Sequence, residues 1–221
     1  MTDVNRTIAE QAEEFDTIAP PELDQSQIGS ARQGDGIQTP SQTVGPFFGY
    51  ALPYEKGWEL VPGHHPQAIR FHGTVYDGDG AVVPDAIIEI WQADSEGVLS
   101  TQLGSLEPDG YTFTGFGRTS VNLAGHFSFT TVKPGAVAAG AAPYILVTIF
   151  ARGLTHHLFT RAYFPPASDA ESAAHEGDRV LPAVPTERRA TLISVADGPA
   201  SYRFDIRMQG VGETVFLDFD D

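Results

Sequence analysis

The sequence predicts an all-β protein: a β-sandwich or flattened barrel of mainly antiparallel strands, with one or two short helices in its loops and an N-terminal arm. Three observations predict it. Short apolar stretches with period-two alternation recur from Ala68 onward. The chain holds 23 glycines and 16 prolines, about 18% of its residues against a usual ~12%, which suits many turns better than long helices. Hydrophobic residues make up 41%, enough for an ordinary globular core. A length of 221 residues suits one domain plus an appendage, and composition divides the chain into an acidic arm at 1–37 and a sandwich domain at 38–221.

In chain order, the arm sets many carboxylates against only Arg6 and Arg32. Within it Thr7 to Phe15 suits one short helix, capped by Thr7 with Ile8, Ala12 and Phe15 on one face. Ala68 to Tyr76 alternates, placing Ile69, Phe71, Gly73 and Val75 on one face. Asp77-Gly78-Asp79-Gly80 is a turn, after which Ala86 to Gln92 is expected to return as the second strand of a hairpin. The turn lacks the acidic spacing and final Glu of a calcium loop. Tyr111 to Ser120 and Gly125 to Val132 are expected to pair around Asn122–Gly125, with Lys133-Pro134-Gly135 ending the second strand. Tyr144 to Arg152 is nearly continuously apolar, as a strand buried on both faces would be, and His157 to Tyr163 returns after Gly153. Pro185 to Ser194 is the best helix candidate, with proline at its start and Glu187 in its first turn. Ser201 to Met208 alternates, and Val215 to Phe219 closes the chain.

Charge excludes several functions. With 29 acidic against 13 basic residues the formal net charge is −16. Nucleic-acid binding needs Lys and Arg to neutralise phosphates, and anionic membrane surfaces demand the same. No apolar run reaches the ~18 residues that span a bilayer, and the first residues lack the charged-then-apolar plan of a signal peptide. A soluble, cytoplasmic, acidic domain is expected. Zero cysteines exclude disulfides, zinc-thiolate sites and thiol catalysis.

Candidate chemistry is sparse. None of the seven histidines has the helical His-x-x-x-His spacing that presents two imidazoles to one ion. Composition leaves a Ser/His/Asp triad open, but no Gly-x-Ser-x-Gly elbow is present. Two features carry more. Thr39-Pro40-Ser41-Gln42-Thr43-Val44-Gly45-Pro46-Phe47-Phe48 combines fixed-φ prolines, a glycine and small hydroxyls, and can line a pocket or serve as a plain linker. Arg152, between an apolar strand and Gly153, can hold an anionic ligand in fork geometry or form a surface ion pair.

Taken in order, these motifs resemble the intradiol ring-cleavage dioxygenases. The resemblance rests on Thr39–Phe47, on Gly73-Thr74-Val75-Tyr76-Asp77 with Glu89-Ile90-Trp91-Gln92-Ala93-Asp94, and on Phe116-Gly117-Arg118-Thr119. It continues through Thr131-Val132-Lys133-Pro134-Gly135 and Tyr202-Arg203-Phe204-Asp205-Ile206, covering about residues 38 to 219. Phe150–Gly153 and Gln209–Phe216 are similar to the α chain of the family's two-chain members in particular. The family implies ferric iron held by two tyrosinates and two histidines. At the positions where the resemblance places those ligands this chain has Leu99, Val137, Tyr144 and Leu146. Aliphatic carbons cannot ligate Fe(III), so the chain is expected to hold no iron alone.

The resemblance therefore implies a division of labour. A homologous β chain would bind the Fe(III), and this chain would complete the substrate pocket through Thr43, Gly45, Pro46 and Arg152, with no catalytic residue of its own. The implied assembly is a hetero-oligomer of several αβ units. The implied reaction is O2-dependent cleavage of 3,4-dihydroxybenzoate, a small aromatic acid, to 3-carboxy-cis,cis-muconate. Two alternatives stay open: a non-catalytic transthyretin-like accessory sandwich, and a self-sufficient dioxygenase.

Overall fold

A computed structural model describes residues 40–218. The expected helix at 7–15, the arm and Phe219 lie outside the described residues. Among the described residues nine strands form two sheets: β1 (Ala68–Tyr76), β2 (Ile87–Trp91), β3 (Phe116–Ser120), β4 (His126–Val132), β5 (Tyr144–Phe150), β6 (Leu158–Tyr163), β7 (Val195–Gly198), β8 (Ser201–Arg203) and β9 (Ile206–Arg207). The larger sheet has the order β4-β1-β8-β7, with β9 also paired to β1, and the smaller has the order β3-β2-β5-β6. The expected sandwich is borne out. Alternation places Phe71, Val75, Phe127 and Phe129 from one sheet against Ile88, Ile90, Ile145, Val147 and Ile149 from the other. Phe71 packs 6.0 Å from both Phe127 and Phe204, ring centre to ring centre. Each such fully buried side chain contributes roughly 1.5–3 kcal/mol by leaving water.

Pairing differs from the hairpins expected. β1 and β2 lie in different sheets. The turn at Asp77 does form: Asp77 Oδ1 accepts from the N–H groups of Asp79 and Ala81, and Val83 N–H donates to Val75 C=O at 3.0 Å. Pro84 has no N–H to continue that ladder, and the chain crosses to the other sheet. β3 and β4 likewise flank a tight turn, where Asn122 Oδ1 accepts from Ala124 and His126, but join opposite sheets. Such crossings are invisible to a reading that follows adjacency along the chain.

Other expectations are corrected in detail. β5 alternates between buried and half-buried residues instead of being buried on both faces. The Ser201–Met208 strand is split, with β8 pairing to Arg70–His72 and β9 to Val75–Tyr76, both parallel to β1. Between them Phe204 N–H donates to His72 C=O at 2.7 Å, and a Cβ at Gly73 would lie 1.8 Å from Phe204 O. Only glycine admits that approach. The closing strand reduces to an isolated bridge between Leu217 and Phe159.

The helix at 185–194 is short, running α-helical only over Thr186–Arg189 (α3 below). Helix α1 spans Phe48–Ala51, and α2, the longest among the described residues, spans Asp169–Gly177. No helix was expected at 169–177, although Ser168 is followed three residues later by Glu171. Ser168 Oγ accepts from Glu171 N–H at 3.2 Å, while Glu171 Oε2 accepts from Ala167 N–H at 2.6 Å. A second apolar cluster gathers Ala142, Tyr163, Leu181, Val184 and Leu192. Tyr163 O–H donates to buried Asp178 there, at 2.9 Å, and burial pushes its phenol well above the usual range. Among the described residues no helix is long and apolar enough to cross a membrane.

Candidate functional site

The leading segment is strapped to the turn that carries Arg152. Ala151, at the end of β5, is buried, whereas Arg152 and Gly153 protrude. Gly153 takes φ +91°, a conformation that favours glycine, and its N–H donates to Thr43 Oγ1 at 2.7 Å. Ser41 Oγ and His156 Nε2 lie 3.2 Å apart, which makes a second tie to the same turn. Gly45 C=O then accepts from Phe48 N–H at 3.2 Å, and α1 begins. Arg118 Nη1 donates to Leu52 C=O at 2.9 Å and closes the far end of that helix. Arg118 is itself held by Glu89, at 2.7 Å, across the β2–β3 ladder.

These ties shape an open concavity of about 340 Å³, lined by Pro46, Phe48, Tyr50, Pro84, Asp85, Ser120 and Arg152 among others. Of the four expected pocket residues, Pro46 and Arg152 line it directly. Thr43 does not line it but accepts from Gly153 N–H in the Arg152 turn. Gly45 shapes the turn into α1, and nothing lies within 4 Å of where its side chain would begin. The residue that sequence reasoning missed is Asp85, which pairs with Arg152 Nε. Its only sequence signal was a carboxylate between Pro84 and a buried strand, which does not reveal its partner.

The concavity is apolar on the Pro46–Phe48 side and carries the Arg152 guanidinium, which Asp85 contacts at Nε. That combination suits a flat ring bearing a carboxylate. A somewhat larger hollow, about 370 Å³, opens between Tyr54–Leu60 and the segment 102–116. It holds none of the expected residues, and Glu59, Glu107 and Asp109 outnumber its Lys56. Asp109 is kept ionised by hydrogen bonds from Thr112 and Tyr111, its pKa lowered to about 2. An anionic ligand would be repelled there.

Leu99, Val137, Tyr144 and Leu146 belong to a different region. The loop carrying Leu99 lies directly against the one carrying Val137, since a Cβ at Gly97 would meet Ala136 O at 2.1 Å and Gly135 N–H donates to Asp94 C=O at 2.7 Å. Tyr144 and Leu146 occupy the half-buried outer side of β5, with Leu146 beside Trp91 in the ladder. Three aliphatic side chains offer no lone pair, and the Tyr144 ring is covered by the Arg161 guanidinium at 4.0 Å. This donor set does not fit ferric iron. Among the described residues no group of three or more His, Asp or Glu is arranged to hold a metal ion.

The sequence profile of the family described as Dioxygenase matches residues 45–210. The chain belongs to the intradiol dioxygenase family. An intradiol ring-cleavage dioxygenase from Tetranychus urticae shares the fold, with a TM-score of 0.50 at 17% identity, covering 77% of this chain and 93% of that one. Within the family, the chain is 45% identical over 197 residues to the protocatechuate 3,4-dioxygenase alpha chain of Burkholderia cepacia, covering 82% of this chain and 97% of the relative. It is also 30% identical over 155 residues to the beta chain from the same organism, covering 62% and 63%.

Proposed function

We propose that this chain is the iron-lacking subunit of a protocatechuate 3,4-dioxygenase. It would complete the pocket in which a homologous β chain, holding Fe(III), cleaves 3,4-dihydroxybenzoate between its hydroxyl-bearing carbons with O2. The metal, where the partner holds it, supplies activation of the catechol toward O2. This chain supplies placement: Pro46 and Phe48 form an apolar wall, and Arg152 offers a cation for the ring carboxylate. Catalysis here needs no titrating group from this chain, because its task is orientation and charge complementarity.

The observation that carries the reading is the strap joining Thr43 to the Arg152 turn. It brings two distant pieces of sequence to one concavity, in a chain similar along nearly the whole length of an alpha-chain relative. The departures at Leu99, Val137 and Leu146 support assigning the iron to a partner, and the similarity to a beta chain supports a partner of the same fold. The proposed assembly is a hetero-oligomer of αβ units.

Iron content and protocatechuate-dependent O2 uptake test this, for the chain alone and co-expressed with its β-chain partner. Iron and turnover confined to the co-purified complex are expected. Iron and turnover in the chain alone would refute the division of labour. No complex and no iron in either preparation would leave a non-catalytic sandwich.

A further inference from the structure

Arg152 is a poor anion receptor as a free side chain. It sits on a turn, its side chain is 57% exposed, and an Arg held by nothing loses rotamer freedom on binding a ligand. Its partner Asp85 is better rooted. Asp85 is 27% exposed, Pro84 before it fixes the backbone φ, and Ala86 and Ile87 after it are fully buried at the start of β2. Val121 N–H donates to Ala86 C=O at 2.9 Å and ties that start to the end of β3.

The contact is to Nε, the inner edge of the guanidinium. A guanidinium has five N–H donors, and the contact between Arg152 and Asp85 uses the one on Nε. Asp85 thus holds the inner edge of a guanidinium whose residue lines the concavity shared with Pro46 and Tyr50.

We infer that Asp85 is the positioning residue for carboxylate recognition: it holds Arg152 by Nε so that Nη1 and Nη2 are presented, pre-oriented, to the ring carboxylate of the substrate. This rests on the reading proposed above and extends it to a residue on a different strand. Arg152 is fixed at two points, its backbone turn by Thr43 and its side chain by Asp85. The pairing also sets selectivity. An aromatic acid gains from a pre-oriented fork, whereas an uncharged catechol has no group to place on it. Asp85 lowers the net charge beside Arg152, so the inference also predicts the sign: orientation outweighs the lost attraction.

The test uses the αβ complex carrying Asp85→Asn, which keeps side-chain shape and removes the charge. KM for 3,4-dihydroxybenzoate should rise about 3- to 10-fold, the value of ordering one rotamer-rich side chain. kcat should stay within about twofold and KM for catechol should not move. Asp85→Glu should lie between the wild type and Asp85→Asn. An unchanged or lowered KM for the acid in Asp85→Asn would overturn the inference, because charge neutralisation would then be the larger effect. If Asp85→Asn does not assemble with its partner, Asp85→Glu carries the test through the ratio of KM values for acid and catechol, and equal shifts in both would refute it. Arg152→Ala separates the two levels of argument. Loss of the acid preference in Arg152→Ala but not in Asp85→Asn sinks only the Asp85 inference; no preference lost in Arg152→Ala sinks the carboxylate contact itself.

Discussion

Thr43→Val isolates the strap. Valine keeps the branched shape and backbone preference of threonine but cannot accept the Gly153 N–H. The bond removed is 2.7 Å long and both residues are exposed, so water can replace the acceptor in part. Its net worth is then about 0.5 to 1 kcal/mol, the lower part of the usual range. Ser41 and His156 still tie the neighbouring residues, so the turn should loosen locally and the sandwich stay folded. Gly153 amide exchange should quicken about two- to fivefold, a factor that follows from that energy. Thr43→Ser, which keeps the hydroxyl, should exchange at the wild-type rate. Amide exchange followed by NMR on the αβ complex or on the chain reads this directly, and KM for 3,4-dihydroxybenzoate in the complex should rise by a similar factor at constant kcat. Wild-type exchange at Gly153 in Thr43→Val would show that the hydroxyl does not hold the Arg152 turn.

Further expectations concern the frame around the site. Gly73→Ala drives a Cβ to 1.8 Å from Phe204 O and strains the 2.7 Å bond from Phe204 to His72; overpacking and a lost bond together should cost about 2–4 kcal/mol in urea unfolding, while Gly63→Ala, with nothing within 4 Å, should change little. A Gly73→Ala protein as stable as wild type would contradict the close approach of β1 and the β8–β9 segment. His126 is held below its ordinary value of 6.5 by burial and by the neighbouring His72 and Arg70. The unfolded chain therefore takes up a proton that the folded chain resists, and this residue lowers stability as pH falls below about 6.5, until folded His126 itself titrates. His126→Gln should flatten the fall in urea midpoint between about pH 7 and pH 5.5; parallel curves would discount the effect. Ser168→Ala removes the cap of α2 and should destabilise by about 1 kcal/mol, read as a lower melting temperature with unchanged activity of the complex.

Apolar patterning legible in the chain placed β1, β4, β5 and β6 within a residue or two, by alternation in β1 and by a continuous apolar run in β5, since such patterns survive whichever strand becomes the neighbour. It also sorted Phe71, Val75, Phe204 and Ile206 to the inside. Pairing was less legible. Adjacent strands separated by tight turns read as hairpins, yet β1 and β2, like β3 and β4, separate into opposite sheets. Helix α2 was missed, because its polar, alanine-rich run buries no residue and so shows no apolar face, despite the Ser168–Glu171 capping pair. Continuous apolarity in β5 reflected two different environments: the core between the sheets, and an outer side where Trp91, Leu146 and Arg161 meet across the ladder.

Sequence by itself determined the class of fold and the acidic character, because residue chemistry and period are local properties. It also singled out the leading segment and Arg152 separately. Only the tertiary structure decided that they meet. Thr43 and Gly153 are 110 positions apart and Asp85 and Arg152 are 67, so their contacts depend on where the ends of β2, β3 and β5 converge. A hydrogen bond or ion pair across such a separation leaves no periodic trace in the chain, because it is set by the packing of two sheets rather than by the spacing of residues within one.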